Sequence, residues 1–341
     1  MKSEGILSEK NERNSPLTDE NRQQGAGTVP MKTAMITADE NGIPAETLKA
    51  IRDAGIDIIC KKCENPEELV AFAKDADVLW MFGPNIALTG DALRRLPACK
   101  AVFRSGSGID ALPLAEAKEL GIAVCNTPDS ISESVAEHAV SLLFALIRHI
   151  PQFDRDVRRG VWNSGGSETH WHISGRTLGL VGYGRIARNV ERMVSGFNLK
   201  VVHYDPYAPG SIPLDELLKT SDYISVHCPL TDETRHCIST EQFNMMKPNA
   251  LLVNTSRGPV IDEKALIEAL KSKRIGGAAL DVTDPEPPEA DSELMQLTDN
   301  LILTPHVAAF SADFEKNFWA FSVEKLKALS SGDYMKYNVL R

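Results

Sequence analysis

The feature that most constrains the fold is a glycine-rich turn in the middle of the chain. Thr177–Val181 is a short apolar run that predicts a strand, and Gly182-Tyr-Gly184-Arg-Ile-Ala187 follows it in the pattern G-x-G-x-x-G/A. A helix-like stretch runs on to Phe197, and Lys200–Tyr204 predicts the next strand, which ends at Asp205. In such a unit the backbone amides of the turn and the helix N-terminus bind a pyrophosphate. The chain is therefore expected to contain a dinucleotide-binding domain.

Asp205 indicates which dinucleotide binds. It lies about 20 residues beyond the glycines, where an acidic side chain accepts hydrogen bonds from the adenosine ribose. A carboxylate at this position would repel the 2′-phosphate of NADP, because both groups carry negative charge. The sequence therefore predicts NAD as the cofactor.

The residues after this turn predict a complete doubly wound domain. Strand-like runs, separated by helical stretches such as Asp262–Lys273, follow one another at Thr177–Val181, Lys200–Tyr204, Tyr223–Cys228, Ala250–Ser256, Gly277–Val282 and Leu301–Thr304. In folds of this kind, ligands lie beyond the carboxyl ends of the parallel strands. Reactive side chains are therefore expected where the later strands end.

Such side chains follow the last three runs. Arg257 and His306 come just beyond two of them, and Glu286 lies in the loop between. Hydride transfer to or from a 2-hydroxy acid uses these groups: a planar guanidinium binds the carboxylate, a histidine moves the hydroxyl proton, and a carboxylate orients the histidine. Each residue has an ordinary alternative when taken singly, namely a surface ion pair, a solvated acid or a strand-end cap. Together, at the edge where the cofactor binds, they indicate a catalytic site.

The first folded half alternates strands and helices with short connections, which predicts a parallel sheet of its own. The predicted strands are Lys32–Ala38, Ile56–Cys60, Val78–Phe82, Ala101–Arg104 and Ile122–Cys125, and the predicted helices are Pro44–Ala54, Pro66–Asp75, Thr89–Leu96 and Leu112–Leu120. The turn Arg104-Ser-Gly-Ser-Gly108 either forms an anion-binding nest or is an ordinary strand-to-helix turn. The predicted fold class is α/β, with two doubly wound parallel-sheet domains.

A helix is expected between the two halves. Ser130-Ile-Ser-Glu-Ser-Val-Ala-Glu137 contains two consecutive S-x-x-E capping boxes. They predict a helix that runs through His138 to Ile150, stops at Pro151 and is apolar nearly all round. Such a helix must be buried on most sides, at a domain or subunit interface.

Composition limits the partners. The 341 residues are 43% hydrophobic and 25% charged, which is typical of a soluble globular chain of about two domains. A net charge of −10 argues against nucleic acid or an anionic membrane as a partner, and no apolar run is long enough to cross a membrane. The six cysteines lie mostly in or beside apolar runs, which indicates reduced thiols and a cytoplasmic protein.

No metal site is expected. Cys60-Lys-Lys-Cys63 lacks the second pair of ligands that a zinc site needs, and His170-Trp-His172 lacks an apparent third ligand. Residues 1–30 have no apolar run and no signal sequence, which predicts a disordered extension.

From about Met31 to the C-terminus the chain resembles the D-isomer-specific 2-hydroxyacid dehydrogenases. The matching stretches are Gly182–Ala187, Val226-His-Cys-Pro-Leu-Thr231, Asn254-Thr-Ser-Arg-Gly258, Leu280-Asp-Val282, Glu286-Pro287 and Thr304-Pro-His-Val-Ala308. In addition, Ser134-Val-Ala-Glu-His138 is similar to the family's interdomain helix, and Ser105-Gly-Ser-Gly108 is similar to its substrate-carboxylate loop.

The resemblance implies a Rossmann NAD domain, residues 131–310, inserted in a flavodoxin-like substrate domain, residues 31–130 and 311–341. It also implies a homodimer built on the apolar helix. The implied catalytic residues are Arg257, Glu286 and His306, and the implied substrate contacts are Ser105, Gly106, Ser107, Arg257 and His306. The implied cofactor contacts are Gly182, Tyr183, Gly184, Arg185, Ile186, Asp205, His227, Cys228, Pro229, Thr234, Thr255, Ser256, Arg257, Asp281 and His306, with Pro229 and Asp281 near the nicotinamide.

The implied function is NAD-dependent interconversion of a small D-2-hydroxy acid and its 2-keto acid. The segment Trp80–Thr89, which faces the site by resemblance, carries no Lys or Arg. Because a phosphate would need cations nearby, this favours glyoxylate, hydroxypyruvate or an aliphatic 2-keto acid over a phosphoglycerate substrate, which stays open. The alternative is an NAD-sensing binding protein that resembles the transcriptional corepressors built on this fold. The presence of Arg257, Glu286 and His306 does not distinguish the two.

Overall fold

The computed structural model describes residues 30–83, 85–162 and 172–340. The predicted disorder of residues 1–30 therefore concerns a segment of which only Pro30 is described, and His170 lies outside the described residues. Within these ranges no helix is both long and apolar enough to cross a membrane. Nor do the described His, Cys, Asp and Glu side chains form any group of three that could hold a metal ion.

Two parallel sheets organise the chain, which confirms the predicted α/β class. The first contains β1 (Lys32–Met35), β2 (Asp57–Cys60), β3 (Val78–Met81), β4 (Ala101–Arg104) and β5 (Ala123–Asn126). The second contains β6 (Thr177–Val181), β7 (Lys200–Tyr204), β8 (Tyr223–Val226), β9 (Leu251–Asn254), β10 (Gly277–Leu280) and β11 (Leu301–Leu303).

Helices cover both faces of each sheet. They are α1 (Ala45–Asp53), α2 (Pro66–Ala73), α3 (Gly90–Arg94), α4 (Leu114–Glu119), α5 (Ser132–Ile147), α6 (Ile150–Arg158), α7 (Arg185–Val194), α8 (Leu214–Thr220), α9 (Thr240–Met245), α10 (Glu263–Lys271) and α11 (Phe314–Leu329).

The first sheet has the strand order β2-β1-β3-β4-β5, which is the flavodoxin-like order. Alternate strand residues enter two cores, as expected of strands that are buried on both faces. Ala34 packs with the residues of α2, α3 and α4, whereas Met35 packs with α1 and α11. The last helix thus returns to the first sheet, where Leu326 and Leu329 are fully buried.

The second sheet has the order β11-β10-β9-β8-β6-β7. The order reverses between β6 and β8, and such a switch point opens a crevice at the carboxyl ends of the strands. Beyond β7, the segment through Ile212 donates a backbone hydrogen bond to His203 and lies at the sheet edge without forming a strand. The glycine-rich turn follows β6 and therefore lies at the crevice.

The helix between the sheets differs from its prediction in two ways. It ends at Ile147, and Pro151 lies in the first turn of the separate helix α6, where a missing amide hydrogen is tolerated. The break falls at His149, whose φ is 50°. The capping boxes are absent, because Ser130 donates to the carbonyl of Thr127 and no side chain caps α5.

Helix α5 is buried, as predicted, but the elements that bury it belong to the same chain. The helix packs on α7 and on β9, and Ala136, Ala139 and Leu143 are buried there. In contrast, α6 has no buried residue, and Ile150 and Val157 are 55% and 51% exposed.

Several strands end earlier than their apolar runs. The run Tyr223–Cys228 forms a strand only to Val226, and the backbone of Cys228 then turns against Gly182. Similarly, Asn254 ends β9, and the following residues form the loop that carries Arg257. The residues at these ends therefore belong to the loops that follow the strands rather than to the sheet.

Candidate active site

The predicted catalytic residues lie at one edge of the second sheet. Strands β9, β10 and β11 are parallel neighbours, so the loops that follow them leave the sheet side by side. Arg257, Glu286 and His306 belong to these three loops. The structure therefore brings together the three residues that the sequence singled out.

His306 is paired with Glu286. Its Nδ1 atom lies 2.8 Å from Oε2 of Glu286, and the two side chains are 50% and 38% exposed. This hydrogen bond raises the pKa of His306; burial and the charge of Arg257 oppose the increase. Because Nδ1 is engaged, Nε2 is the ring nitrogen left to exchange a proton with a ligand.

Asp281 holds the loop that carries His306. The His306 backbone has a φ of 53° and donates to the carbonyl of Asp281 at 2.9 Å. The buried Asp281 carboxylate accepts hydrogen bonds from the amides of Val307 and Ala308 and from the Thr304 hydroxyl. Burial raises the pKa of Asp281, but hydrogen bonds, first that from His138, outweigh it and lower the pKa. Asp281 therefore orients the loop that carries His306.

Arg257 is bound by a carboxylate from the other sheet. Its Nε lies 3.1 and 3.2 Å from the two carboxylate oxygens of Asp110, and its Nη2 lies 3.0 Å from Oδ1. Its Nη1 donates to the carbonyl of Ser256 at 2.7 Å. Burial raises the pKa of Asp110, but the hydrogen bond from Arg257 outweighs it and holds the pKa below its usual range.

The predicted substrate loop lies against Arg257. A Cβ atom at Gly108 would lie 1.8 Å from Nη2 of Arg257, so only glycine allows this approach. Arg104 donates from beneath to the carbonyl of Gly108. The loop and the guanidinium therefore form one surface.

Within that loop, the predicted contacts are not equivalent. The Ser105 amide donates to Met81, and its hydroxyl is buried with Trp80 and Ser322. The Gly106 amide donates to the hydroxyl of Thr127. Ser107 accepts a hydrogen bond from Asn126 at its carbonyl. Its amide donates to no described residue and is left for an anion. Ser105 thus supports the loop from the core side.

The glycine-rich turn fits a dinucleotide. Gly182 has a φ of 87°, and a Cβ there would lie 2.5 Å from the amide nitrogen of Cys228. A Cβ at Gly184 would meet nothing within 4 Å, and no side chain caps the helix α7 that Gly184 precedes. The turn therefore presents open space at a helix N-terminus, which suits a pyrophosphate.

Asp205 lies beside this turn. Its carboxylate accepts hydrogen bonds from the amide of Tyr183 at 2.8 Å and from that of Tyr207 at 2.9 Å. Each carboxylate oxygen has two lone pairs, so both can still accept from ribose hydroxyls. The Tyr183 ring points away and stacks on His203, and Arg185 pairs with Asp129 at 2.6 Å. Tyr183 therefore uses its amide to hold Asp205 and its ring to pack on His203.

The remaining predicted cofactor residues line the loops after β8 and β9. After β8, His227 bonds to Ser225, and burial lowers the pKa of its ring to about 4, so the ring is neutral. In the same loop, Thr234 donates to the carbonyl of Pro229 at 2.6 Å.

The loop after β9 is organised by Asn254. Its side-chain Oδ1 accepts a hydrogen bond from the amide of Ser256, and its side-chain Nδ2 donates to the carbonyl of Arg257. Thr255, between them, is 8% exposed.

Sequence reasoning missed four supporting residues. Asp110, Asn254, Thr304 and His138 bind or brace the predicted ones through contacts between different loops. Asn254, Thr304 and His138 fall inside quoted motifs, but their partners could not be read from the sequence. Asp110 follows the glycine loop as an acid two residues after Gly108, which is the signal that could have drawn attention to it.

Comparison with known proteins gives one family. The sequence profile described as D-isomer specific 2-hydroxyacid dehydrogenase, NAD binding domain, matches residues 140–308. This range contains the glycine-rich turn, Asp205, Arg257, Glu286 and His306. The prediction of NAD as the cofactor is confirmed by this match.

Curated relatives carry related names. A D-3-phosphoglycerate dehydrogenase of Methanocaldococcus jannaschii is 40% identical over 280 residues, which are 78% of this chain and 52% of that protein. The chain therefore spans about half the length of this relative. A glyoxylate reductase of Korarchaeum cryptofilum is 36% identical over 78% of this chain and 83% of its own length.

Solved structures share the whole fold. The D-lactate dehydrogenase of Aquifex aeolicus, complexed with NAD and lactic acid, has a TM-score of 0.77 and 28% identity. The match covers 90% of this chain and 98% of that one. Both sheets therefore have counterparts in a single known architecture.

Proposed function

The chain belongs to the D-isomer-specific 2-hydroxyacid dehydrogenase family as an NAD-dependent oxidoreductase, and we propose that it reduces a small 2-keto acid, with Arg257, Glu286 and His306 as its catalytic residues. One observation carries this proposal. The His306–Glu286 pair, at 2.8 Å, and the Arg257 guanidinium end neighbouring strands beside the turn that fits the cofactor.

Each residue has a defined chemical task in this proposal. Arg257 binds the substrate carboxylate together with the amide of Ser107, and its charge polarises the keto group. His306 donates the proton on Nε2 to the carbonyl oxygen, and Glu286 stabilises the imidazolium before the transfer. NAD, when bound in its reduced form, supplies the hydride. In the oxidative direction, neutral His306 accepts the hydroxyl proton.

We propose a substrate with a small, uncharged side chain. Trp80 and Met81 are buried in β3, and Ile86, further along the same segment, is exposed and apolar. Arg104, which ends β4 beside the glycine loop, donates to the carbonyl of Gly108, and its Nε is buried. Because Arg104 is engaged by the loop in this way, it is not placed to bind a substrate phosphate. This supports glyoxylate, hydroxypyruvate or an aliphatic 2-keto acid rather than a phosphorylated one.

A panel of 2-keto acids tests this function. We expect steady NADH oxidation with glyoxylate, hydroxypyruvate or 2-ketoisocaproate, and lower kcat/KM with phosphohydroxypyruvate. A highest kcat/KM with phosphohydroxypyruvate would contradict the substrate class. Tight NADH binding without turnover of any member of the panel would instead indicate an NAD-sensing protein similar to the corepressors.

The Glu286→Gln variant should change the pH dependence of reduction. Reduction needs protonated His306, so its rate falls as the pH rises through the raised pKa of this group. Glutamine keeps the shape of the side chain but removes the charge, so the fall should occur at lower pH, with kcat/KM at neutral pH reduced about tenfold. Profiles of kcat/KM against pH for both proteins measure this shift. An unchanged midpoint would contradict the role of Glu286.

The Asp205→Ser variant should use NADPH better relative to NADH. Serine removes the charge that repels a 2′-phosphate, so the ratio of kcat/KM for NADPH to that for NADH should rise about tenfold, or about 1.4 kcal/mol. Asp215→Ser, a change at an exposed acid on α8, is the matched control. An equal ratio in wild type and Asp205→Ser would contradict the role of Asp205 in the selection of NADH over NADPH.

We also propose the wider arrangement of the protein. Residues 31–130 and 311–341 form the substrate domain, residues 131–310 form the NAD domain, and the protein is a cytoplasmic homodimer. The apolar residues of α5 pack within their own chain, whereas Ile150 and Val157 of α6 are exposed. This supports α6, rather than α5, as the surface of the dimer.

A further inference from the structure

We infer that Asp110 is a positioning residue that holds the Arg257 guanidinium across the crevice and aims donors of its Nη1 and Nη2 groups at the substrate carboxylate. This inference rests on the proposed function. Neither the sequence motifs nor the names of the relatives draw attention to Asp110, and its contact with Arg257 joins residues 147 positions apart.

The N–H groups of Arg257 that have no acceptor in the protein are the ones left to bind the substrate. A guanidinium has five N–H groups. Asp110 accepts the Nε hydrogen and forms an ion pair with Nη2, and the carbonyl of Ser256 accepts one hydrogen of Nη1. Nη1 and Nη2 each keep at least one further hydrogen, and two such groups form the fork that a carboxylate accepts in a bidentate manner. Asp110 thus fixes the guanidinium without occupying its binding edge.

The geometry of the loops agrees with this role. Arg257 approaches the loop so closely that a side chain at Gly108 would collide with its Nη2, and Asp110 lies two residues further on. The side chains of Arg257 and Asp110 are 25% and 31% exposed, so the pair is partly removed from water. A long side chain that is held at one edge loses less conformational freedom when its other edge binds a ligand.

The pair also joins the two sheets. Asp110 follows β4 of the first sheet, and Arg257 follows β9 of the second. The orientation of Arg257 therefore depends on the approach of the two sheets, so the catalytic fork is complete only when the crevice has this width. This makes Asp110 a link between the relative position of the sheets and substrate binding.

The removal of Asp110 has opposite expected effects on substrate binding if the residue acts only through its charge and if it positions Arg257. Its carboxylate lies beside the site of an anionic substrate and repels it, so a simple loss of charge should strengthen substrate binding. A loss of positioning should weaken it, since the guanidinium then has more orientations to lose. The sign of the change in KM therefore separates the two roles.

The experiment compares Asp110→Asn and Asp110→Ala with wild type in NADH-dependent reduction of the best 2-keto acid of the panel. We expect kcat/KM to fall about tenfold for asparagine and about thirtyfold for alanine, with a higher KM and a lower kcat. NADH affinity, measured by fluorescence titration, should not change. Glu67→Gln, which disrupts an exposed bidentate pair with Arg95, is the matched control and should keep wild-type kinetics.

A double-mutant cycle with Arg257→Lys tests whether Asp110 acts through Arg257. Lysine has no planar fork to orient, so Asp110→Ala should cost much less in the lysine background than in wild type. Independent, multiplicative losses would overturn the proposal. So would a KM for Asp110→Asn at or below the wild-type value.

The outcomes remain distinct from those of the proposed function. Turnover by the wild-type protein, and its loss in His306→Ala, test the function itself. If both hold while Asp110→Asn retains wild-type kcat/KM, only the positioning role fails. If Asp110→Ala does not fold, Asp110→Asn decides the question, because it has the same shape as the native side chain.

Discussion

Replacing His306 by alanine lowers kcat/KM for 2-keto acid reduction by about a thousandfold, which is the size of effect expected when a general acid is lost. The imidazole carries the transferred proton, and the hydrogen bond from Nδ1 to Glu286 raises its pKa, which favours the protonated form. NADH affinity should fall far less than kcat/KM, because the turn at Gly182 and Asp205 and most other implied cofactor contacts are unaffected. Steady-state kinetics and NADH fluorescence titration measure the two quantities.

The control for this variant is another histidine with the same backbone. His236 is exposed and also has a φ of 53°, so His236→Ala imposes a similar conformational change without removing the proposed acid. Wild-type kinetics are expected for it. Equal rates for His306→Ala and wild type would rule out His306 as the proton donor.

The proximity of Arg257, Glu286 and His306 could be predicted because the sheet topology brings them together. Arg257, Glu286 and His306 follow strands of one parallel sheet, and parallel neighbours deliver their loops to the same edge. The chemistry of the three side chains singled them out, and their place after a strand was enough to predict that they lie close together.

The end of α5 could not be predicted because proline has two roles at a helix boundary. In the sequence, Pro151 predicts the end of a helix. In the structure it occupies the first turn of α6, where its missing amide hydrogen breaks no helical hydrogen bond. The actual break is the left-handed conformation of His149, which no glycine marks in the sequence. Tertiary packing, rather than a local signal, therefore sets this boundary.

Local patterns also failed where distant partners compete. The S-x-x-E motif predicts that Ser134 caps a helix, but its hydroxyl lies 2.9 Å from that of Ser311. Asp110 was missed for the same reason, since its partner lies in the other half of the chain. The residues that support the site are thus defined by contacts between loops, which have no periodicity to detect.

We expect a second large effect in the glycine-rich turn. Alanine substitutions at its two glycines should differ in their effects on stability and on NADH affinity. Gly182→Ala should destabilise the protein by about 3 kcal/mol, because alanine is strained at a φ of 87° and its Cβ would lie 2.5 Å from the Cys228 amide nitrogen. Thermal unfolding should show a lower Tm, and NADH affinity should fall with the distorted turn.

Gly184→Ala is the matched variant, and it separates folding from binding. A Cβ there meets nothing within 4 Å, so Tm should remain close to that of wild type. If the open space before α7 receives the pyrophosphate, the added methyl group will occupy it and weaken NADH binding at least about tenfold. Unchanged NADH affinity in Gly184→Ala would mean that the pyrophosphate does not approach this glycine. A wild-type Tm for Gly182→Ala would mean that Cys228 can move away, and that the turn is less rigid than its contacts imply.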